Sequence, residues 1–299
     1  MPAAVAPSIT APPGIWRRAA RRWRRAPTSF RVGAAILLIH AIVAITGPWW
    51  APYGLSQMGT GIPLSGMSWD HPFGVDQLGR DIFSRVVHGA RIVILLSLSG
   101  TLLGLVVGAV IGLLSGYVGG WIDDVVQRLI EALISIPFLV LALIAIAAAG
   151  PELAGNALLV ILVVALVYAP RIARMARAAA LDIVTRDYVT AARLRGERAW
   201  AVVRREVLPN ASGVLLVEFA LRAGYAPVLI GSLGFLGFGM RPPTPEWGLM
   251  ISENRALIIV SPITVIGPGL MLASLVVGLN LFTDGLARML GRTVKLVEK

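Results

Sequence analysis

Glu218 and Arg222 lie four positions apart inside a long apolar run. On a helix that spacing puts both side chains on one face, close enough to neutralise each other. Ionisable groups in an apolar span are expensive, so they either line a polar cavity or hold helices together as an internal ion pair. Both readings stay open, and the pair stands as a candidate piece of a translocation pathway. Asp284 and Asn280 share a face near the end of the last apolar run, where capping or snorkelling accounts for them. The histidines His40, His71 and His88 form no H-E-x-x-H zinc pattern, and His40 reads as a packed, neutral side chain. The chain has no cysteine, no G-x-S-x-G elbow, and no Ser–His or paired-aspartate arrangement within its apolar runs. Lysine occurs only at Lys295 and Lys299, which excludes a phosphate-cradling G-x-x-x-x-G-K-[ST] loop. We therefore expect no catalytic residue, no metal site and no cofactor in this chain. If ATP drives it, another polypeptide binds the nucleotide.

The elements that must position these residues follow from composition. Of 299 residues, 57% are hydrophobic and 14% charged, against roughly 45–50% and about 25% in soluble domains. A soluble core of this size cannot hide so much apolar surface, whereas a bilayer can. Six runs are each about long enough to cross a hydrocarbon core of roughly 30 Å. They lie near Val32–Trp50, Ile92–Leu114, Ala132–Ala149, Leu153–Ala169, Gly213–Leu233 and Leu257–Phe282. In lipid each backbone must satisfy its own hydrogen bonds, which makes the runs helices. The expected fold is an all-α integral membrane protein with six transmembrane helices. The first run has too long a leader for a signal peptide and no A-x-A site after it. It ends on Pro48, Trp49 and Trp50, residues suited to a membrane boundary, and reads as a retained anchor.

The formal net charge of +11 is an orientation signal. Of 27 Lys and Arg residues, 21 fall on one side of the six runs: the leader up to Arg31, Arg128, the Arg171–Pro209 segment and the tail from Arg288. By the positive-inside rule that side, with both termini, faces the cytoplasm, and nucleic-acid binding loses its main support. The chain divides into a basic cytoplasmic segment at 1–31, a six-helix domain at 32–284 and a cytoplasmic tail at 285–299. Within the domain an external loop covers about 51–91 and a cytoplasmic loop about 171–210, and no internal repeat is visible. The second run carries Gly100, Gly104, Gly108, Gly112 and Gly116 at every fourth position. On a helix this row makes a slowly winding groove, which favours close packing of a neighbouring backbone over a pore lining.

The cytoplasmic loop reads L-D-I-V-T-R-D-Y-V-T-A-A-R-L-R-G from Leu181 to Gly196, and V-L-P-N from Val207 to Asn210. Its pattern predicts a short helix over Thr185–Arg195 stopped by Gly196. Ala191, Ala192 and Gly196 would leave one side nearly bare, free to sit close against another surface. This segment resembles the "EAA" loop of permease subunits of ATP-binding-cassette importers, which forms the coupling helix docking in a groove of the ATPase subunit. The matching positions are Asp187, Tyr188, Ala191, Ala192, Gly196, Leu208 and Pro209; Thr190 stands where the family has its glutamate.

Two further stretches narrow the resemblance. H-P-F-G-V-D-Q-L-G-R-D-I-F-S-R, His71 to Arg85, is similar to the signature of the C-type permease subunit of dipeptide/oligopeptide importers, also seen in nickel and glutathione systems. Gly234–Gly248 and Leu279–Arg288 are similar to the same subfamily's last loop and last span; Ile230 departs from it by replacing a frequent acidic residue. The resemblance implies a type I importer fold in a bacterial or archaeal cell membrane. It implies half of a pathway for short peptides, completed by a second related permease subunit. It also implies two ATPase subunits that bind ATP and Mg, and an extracytoplasmic substrate-binding protein. Glycines and prolines in both external loops suggest turn-rich lids. There Asp76, Gly79, Arg80 and Asp81 are expected to lock the loop's fold before touching substrate. The alternative is an ion-gradient-driven secondary transporter, which would want polar ligands on broken helices in paired repeats. An intramembrane enzyme lacks its nucleophile–base pair.

Overall fold

The computed structural model describes residues 26–297. The arginines of the leader up to Arg25, and Lys299, lie outside the described residues. Among the described residues every regular element is a helix. We number them α1 (Thr28–Trp50), α2 (Ile82–Val118), α3 (Gly120–Ser135), α4 (Phe138–Ala149) and α5 (Ala157–Ile183). They continue as α6 (Asp187–Leu194), α7 (Ala199–Phe235, with a π turn at Val203–Val207), α8 (Trp247–Asn254) and α9 (Ile263–Val297). Five of these, α1, α2, α5, α7 and α9, are long and apolar enough to cross a membrane.

The centre of the bundle is the α2–α5 pair, and the glycine row makes it. Gly100 faces Val164, Gly104 faces Ala165, Gly108 faces Ala169 and Ile172, Gly112 faces Ala173 and Ala176, and Gly116 faces Arg177 and Ala180. A Cβ on Gly108 would sit 2.6 Å from the Ala169 carbonyl oxygen. The two backbones therefore approach along about four and a half turns with no room for side chains, the arrangement small residues permit between helices in lipid. Glycines repeat the device between α1 and α9: Gly33 meets Gly278 and Phe282, Gly285 meets Phe30, and the Phe30 and Phe282 rings stack at 4.8 Å. Leu141, Ile146, Val164, Tyr168, Leu229, Ile230 and Leu233 fill the core between α4, α5 and α7. Ile230 is fully buried there, so the acidic residue it replaces would have no water to reach.

Several boundaries differ from the expected spans. Ala132–Ala149 is not one helix, because α3 and α4 meet at a 97° bend across Ile136 and Pro137. Proline lacks an N–H and pushes the residue before it out of the helical region, and Ile136 is extended, with ψ of 129°. With 12 residues α4 rises only about 18 Å, so the bent pair is either one broken span or a re-entrant loop. The second span starts at Ile82, ten residues before the apolar run, because Asp81 caps it by accepting from the Ser84 N–H at 2.7 Å. The fourth starts at Ala157 under an Asn156 cap and runs on to Ile183, taking Arg171, Arg174 and Arg177 onto helix α5. The sixth starts only at Ile263, after a turn at Arg255–Leu257.

Candidate functional site

The short helix α6 is bound to the bundle by one face only. Val189 and Ala192, three apart, are fully buried against Ala176, Ala180 and Ile183 of α5 and Val202, Val203, Val207 and Ala211 of α7. Arg193 pins the helix to the end of α2: its guanidinium stacks 4.4 Å from the Tyr117 ring centre and donates to the Tyr117 carbonyl at 3.2 Å. The opposite face carries Asp187, Tyr188, Thr190, Ala191 and Leu194, all exposed, with Leu194 at 84%. Gly196 ends the element with φ of 73° and open space around it. That left-handed conformation costs a side-chain-bearing residue about 1–2 kcal/mol. Leu208 and Pro209 are exposed at the next turn of α7.

One expectation is corrected here. Ala191 and Ala192 do not share a bare surface, because adjacent helix residues point about 100° apart. Ala192 holds α6 to its own bundle, and Ala191 faces outward beside Tyr188.

Helices α5 and α7 also carry Arg171, Glu218 and Arg222. Glu218 is buried and accepts from Arg222 Nε at 2.7 Å and Nη2 at 2.5 Å. Arg222 in turn lines a cavity of about 220 Å³ with Phe138, Tyr168, Arg171, Tyr225 and Val228. Arg171 donates to the Val167 carbonyl of its own helix at 3.1 Å, and no carboxylate pairs with it among the described residues. Glu218 and Arg222 thus pair within one helix, with the arginine at the wall of a largely apolar cavity. Arg171 was counted in sequence only as a topology signal, and Tyr168 and Tyr225 carried no signal beyond aromatic residues in apolar runs.

Residues 104–296 match the family described as binding-protein-dependent transport system inner membrane component. The chain belongs to that family. Among its relatives is the di/tripeptide transport system permease protein DppC of Pseudomonas aeruginosa, 35% identical over 85% of this chain and 84% of its own. The glutathione transport system permease protein GsiD of Escherichia coli is 34% identical, and that of Shigella flexneri 36%, each over 94% of this chain and 91% of the relative. The chain is a permease subunit of a binding-protein-dependent ATP-binding-cassette importer.

The loop before α2 is held by buried charge. Asp76 Oδ2 accepts from Arg80 Nε at 2.6 Å and from Arg85 Nη1 at 3.1 Å. Both arginines also reach Glu253 Oε2 on α8, at 3.1 and 3.0 Å. Two carboxylates and two guanidiniums make a neutral group, as a site closed to water requires. Asp81 meets His71 Nδ1 at 2.9 Å, and Gly79 turns the loop with φ of 72° against Gly59. Trp247 of α8 is fully buried and donates to the Val86 carbonyl at 3.0 Å. The loop before α2 is thus clamped to α8. Glu253 was missed in sequence, since nothing local marks an acid whose partners lie about 170 residues away.

Glu246 opens α8, accepting from the Gly248 and Leu249 N–H groups at 2.8 and 2.9 Å. It is fully buried without a cation beside it, and burial pushes its carboxyl up to about 7.

Proposed function

We propose that this permease forms half of a translocation pathway for short peptides in the cell membrane, with both termini on the cytoplasmic side. A second related permease subunit supplies the other half, and an extracytoplasmic substrate-binding protein delivers the solute. Two separate ATP-binding-cassette subunits bind ATP and Mg, dock on α6 and drive the cycle. The names of the relatives, di/tripeptide and glutathione permeases, support the substrate class.

The observation that carries the coupling is the one-sided burial of α6. Its inner residues Val189 and Ala192 lie in one buried cluster with residues of α5 and α7, while its outer face is left open. Close-packed interiors transmit displacement instead of absorbing it. A push on α6 therefore reaches both helices that wall the Arg171–Arg222 cavity, and it can open that cavity to one side of the membrane or the other.

The test is Ala191→Trp, which adds a bulky ring to the outer face of α6 and none to its inner face. Co-purification with the ATPase subunits is expected to fall by about tenfold or more, with the permease still inserted. Undiminished recovery of the ATPase overturns the docking site. Uptake that survives ATP depletion but collapses with the proton gradient overturns the ATP-driven reading.

A further inference from the structure

The α4–α5–α7 cavity has a charge imbalance that the ion pair does not explain. Of its two guanidiniums, Arg222 is satisfied by Glu218, which lies buried behind it. Arg171 is half-buried and bonded only to a carbonyl of its own helix. The remaining walls, Phe138, Tyr168, Tyr225 and Val228, supply apolar and aromatic surface with no acid among them. A guanidinium facing a largely apolar cavity with no carboxylate to pair it is costly unless an anion or water meets it. Its planar fork suits a carboxylate, which it can hold through two parallel hydrogen bonds.

We propose that this cavity is a carboxylate-binding station on the transport pathway: Arg171 receives the terminal carboxylate of a passing peptide while Tyr168, Tyr225 and Phe138 flank its side chain. The inference rests on the transport reading above and adds the binding chemistry of the site. It explains why one acid, not two, is built into the pocket. Glu218 fixes Arg222 as a wall, and Arg171 is left for the solute. A small apolar-walled cavity holds the peptide only briefly, as a pathway requires.

The test uses the complete importer in proteoliposomes and a dipeptide carrying a photoreactive benzoyl-phenylalanine, as the free acid and as the C-terminal amide. Crosslinking is done without the binding protein, so acid and amide differ only at the membrane site. Adducts of the acid are expected on Phe138, Tyr225 or Val228. They should fall about tenfold or more with the amide, and similarly with Arg171→Gln, while Arg171→Lys retains part of the yield. The acid–amide comparison needs no substitution and holds even if Arg171→Gln does not fold. Equal labelling by acid and amide overturns the proposal, as does labelling confined to other helices or blocked by an anionic phospholipid alone. ATP-dependent uptake of the acid, measured in the dark with the binding protein present, separates the two readings. Uptake without cavity adducts defeats the station alone, and absence of uptake defeats both.

Discussion

The glycine row gives a signed prediction, because two glycine-to-alanine changes in long helices should move stability in opposite directions. At Gly108 the new Cβ would lie 2.6 Å from the Ala169 carbonyl oxygen, 2.8 Å from Ile172 Cβ and 3.0 Å from Ile172 Cγ2. Backbone cannot yield as a side-chain tip can, so α2 and α5 must separate by close to an ångström. Overpacking of this kind costs about 1–3 kcal/mol, offset in part by alanine's helix preference of up to about 1 kcal/mol. Gly213, on α7, is exposed and has nothing within 4 Å of its would-be Cβ. There the preference acts alone and should stabilise by about 0.5–1 kcal/mol. The two variants should therefore differ by about 2 kcal/mol, which is several degrees of unfolding temperature. Tryptophan-fluorescence melting in one detergent at one scan rate reads this difference directly. If Gly108→Ala melts as high as Gly213→Ala, the α2 and α5 backbones are not in contact and the packing reading of the row is refuted.

Asp76→Asn should leave Arg80 and Arg85 sharing one carboxylate oxygen of Glu253, a loss of about 3–5 kcal/mol for a broken buried ion group. Faster protease cleavage within residues 51–81 checks it, and wild-type resistance would count against the clamp. Trp247→Phe removes the bond to Val86 and part of a fully buried ring, and should lower the melting temperature by the equivalent of about 1–3 kcal/mol. Glu246 titrates near 7 when folded, against an ordinary value of 4.5, so the folded state holds its proton more tightly than the unfolded one. Its stabilising contribution is full below about 4.5 and is lost as pH rises through about 7. Melting across that window should fall with pH in the wild type and flatten in Glu246→Gln; parallel slopes would show that another group carries the effect.

Periodicity exposed the bundle well where one residue type repeats on one face. The glycines at 100, 104, 108, 112 and 116 could be read as a packing groove because their spacing is itself the contact surface. What periodicity omits is the neighbour. It could not say that the groove receives α5, nor that Ala192 turns inward while Ala191 turns out. The bend at Pro137 was visible as a proline, yet apolar residues on both sides merged into one run, since hydropathy sums over direction. Glu253 was beyond reach for another reason. Its role exists only once α8 folds over the Asp76 loop, and that contact is set by the whole bundle. Charge counting had the same blindness at Arg171, grouped with eight cytoplasmic arginines because it sits at the edge of an apolar run. Helix α5 continues past it to Ile183, and continuation moves its guanidinium from a loop to a cavity wall.

The exposed surfaces of the bundle differ in chemistry, and that difference orients it. On α1, Leu38, Ile39, Ile42 and Ile45 stand half or more exposed. Hydrocarbon satisfies such a face fully. The face around Arg171, Arg222 and Tyr225 is partly exposed, yet two guanidiniums against lipid tails would be costly. It must instead meet water or a protein surface. In the proposed importer the second permease subunit therefore covers the α4–α5–α7 side, with α1 turned to the bilayer. Cysteine pairs settle the point, since the native chain contains none. A cysteine at Tyr225 should crosslink to the partner permease, and one at Ile42 should not. The reverse pattern would put the arginines against lipid and remove the physical basis for a pathway there.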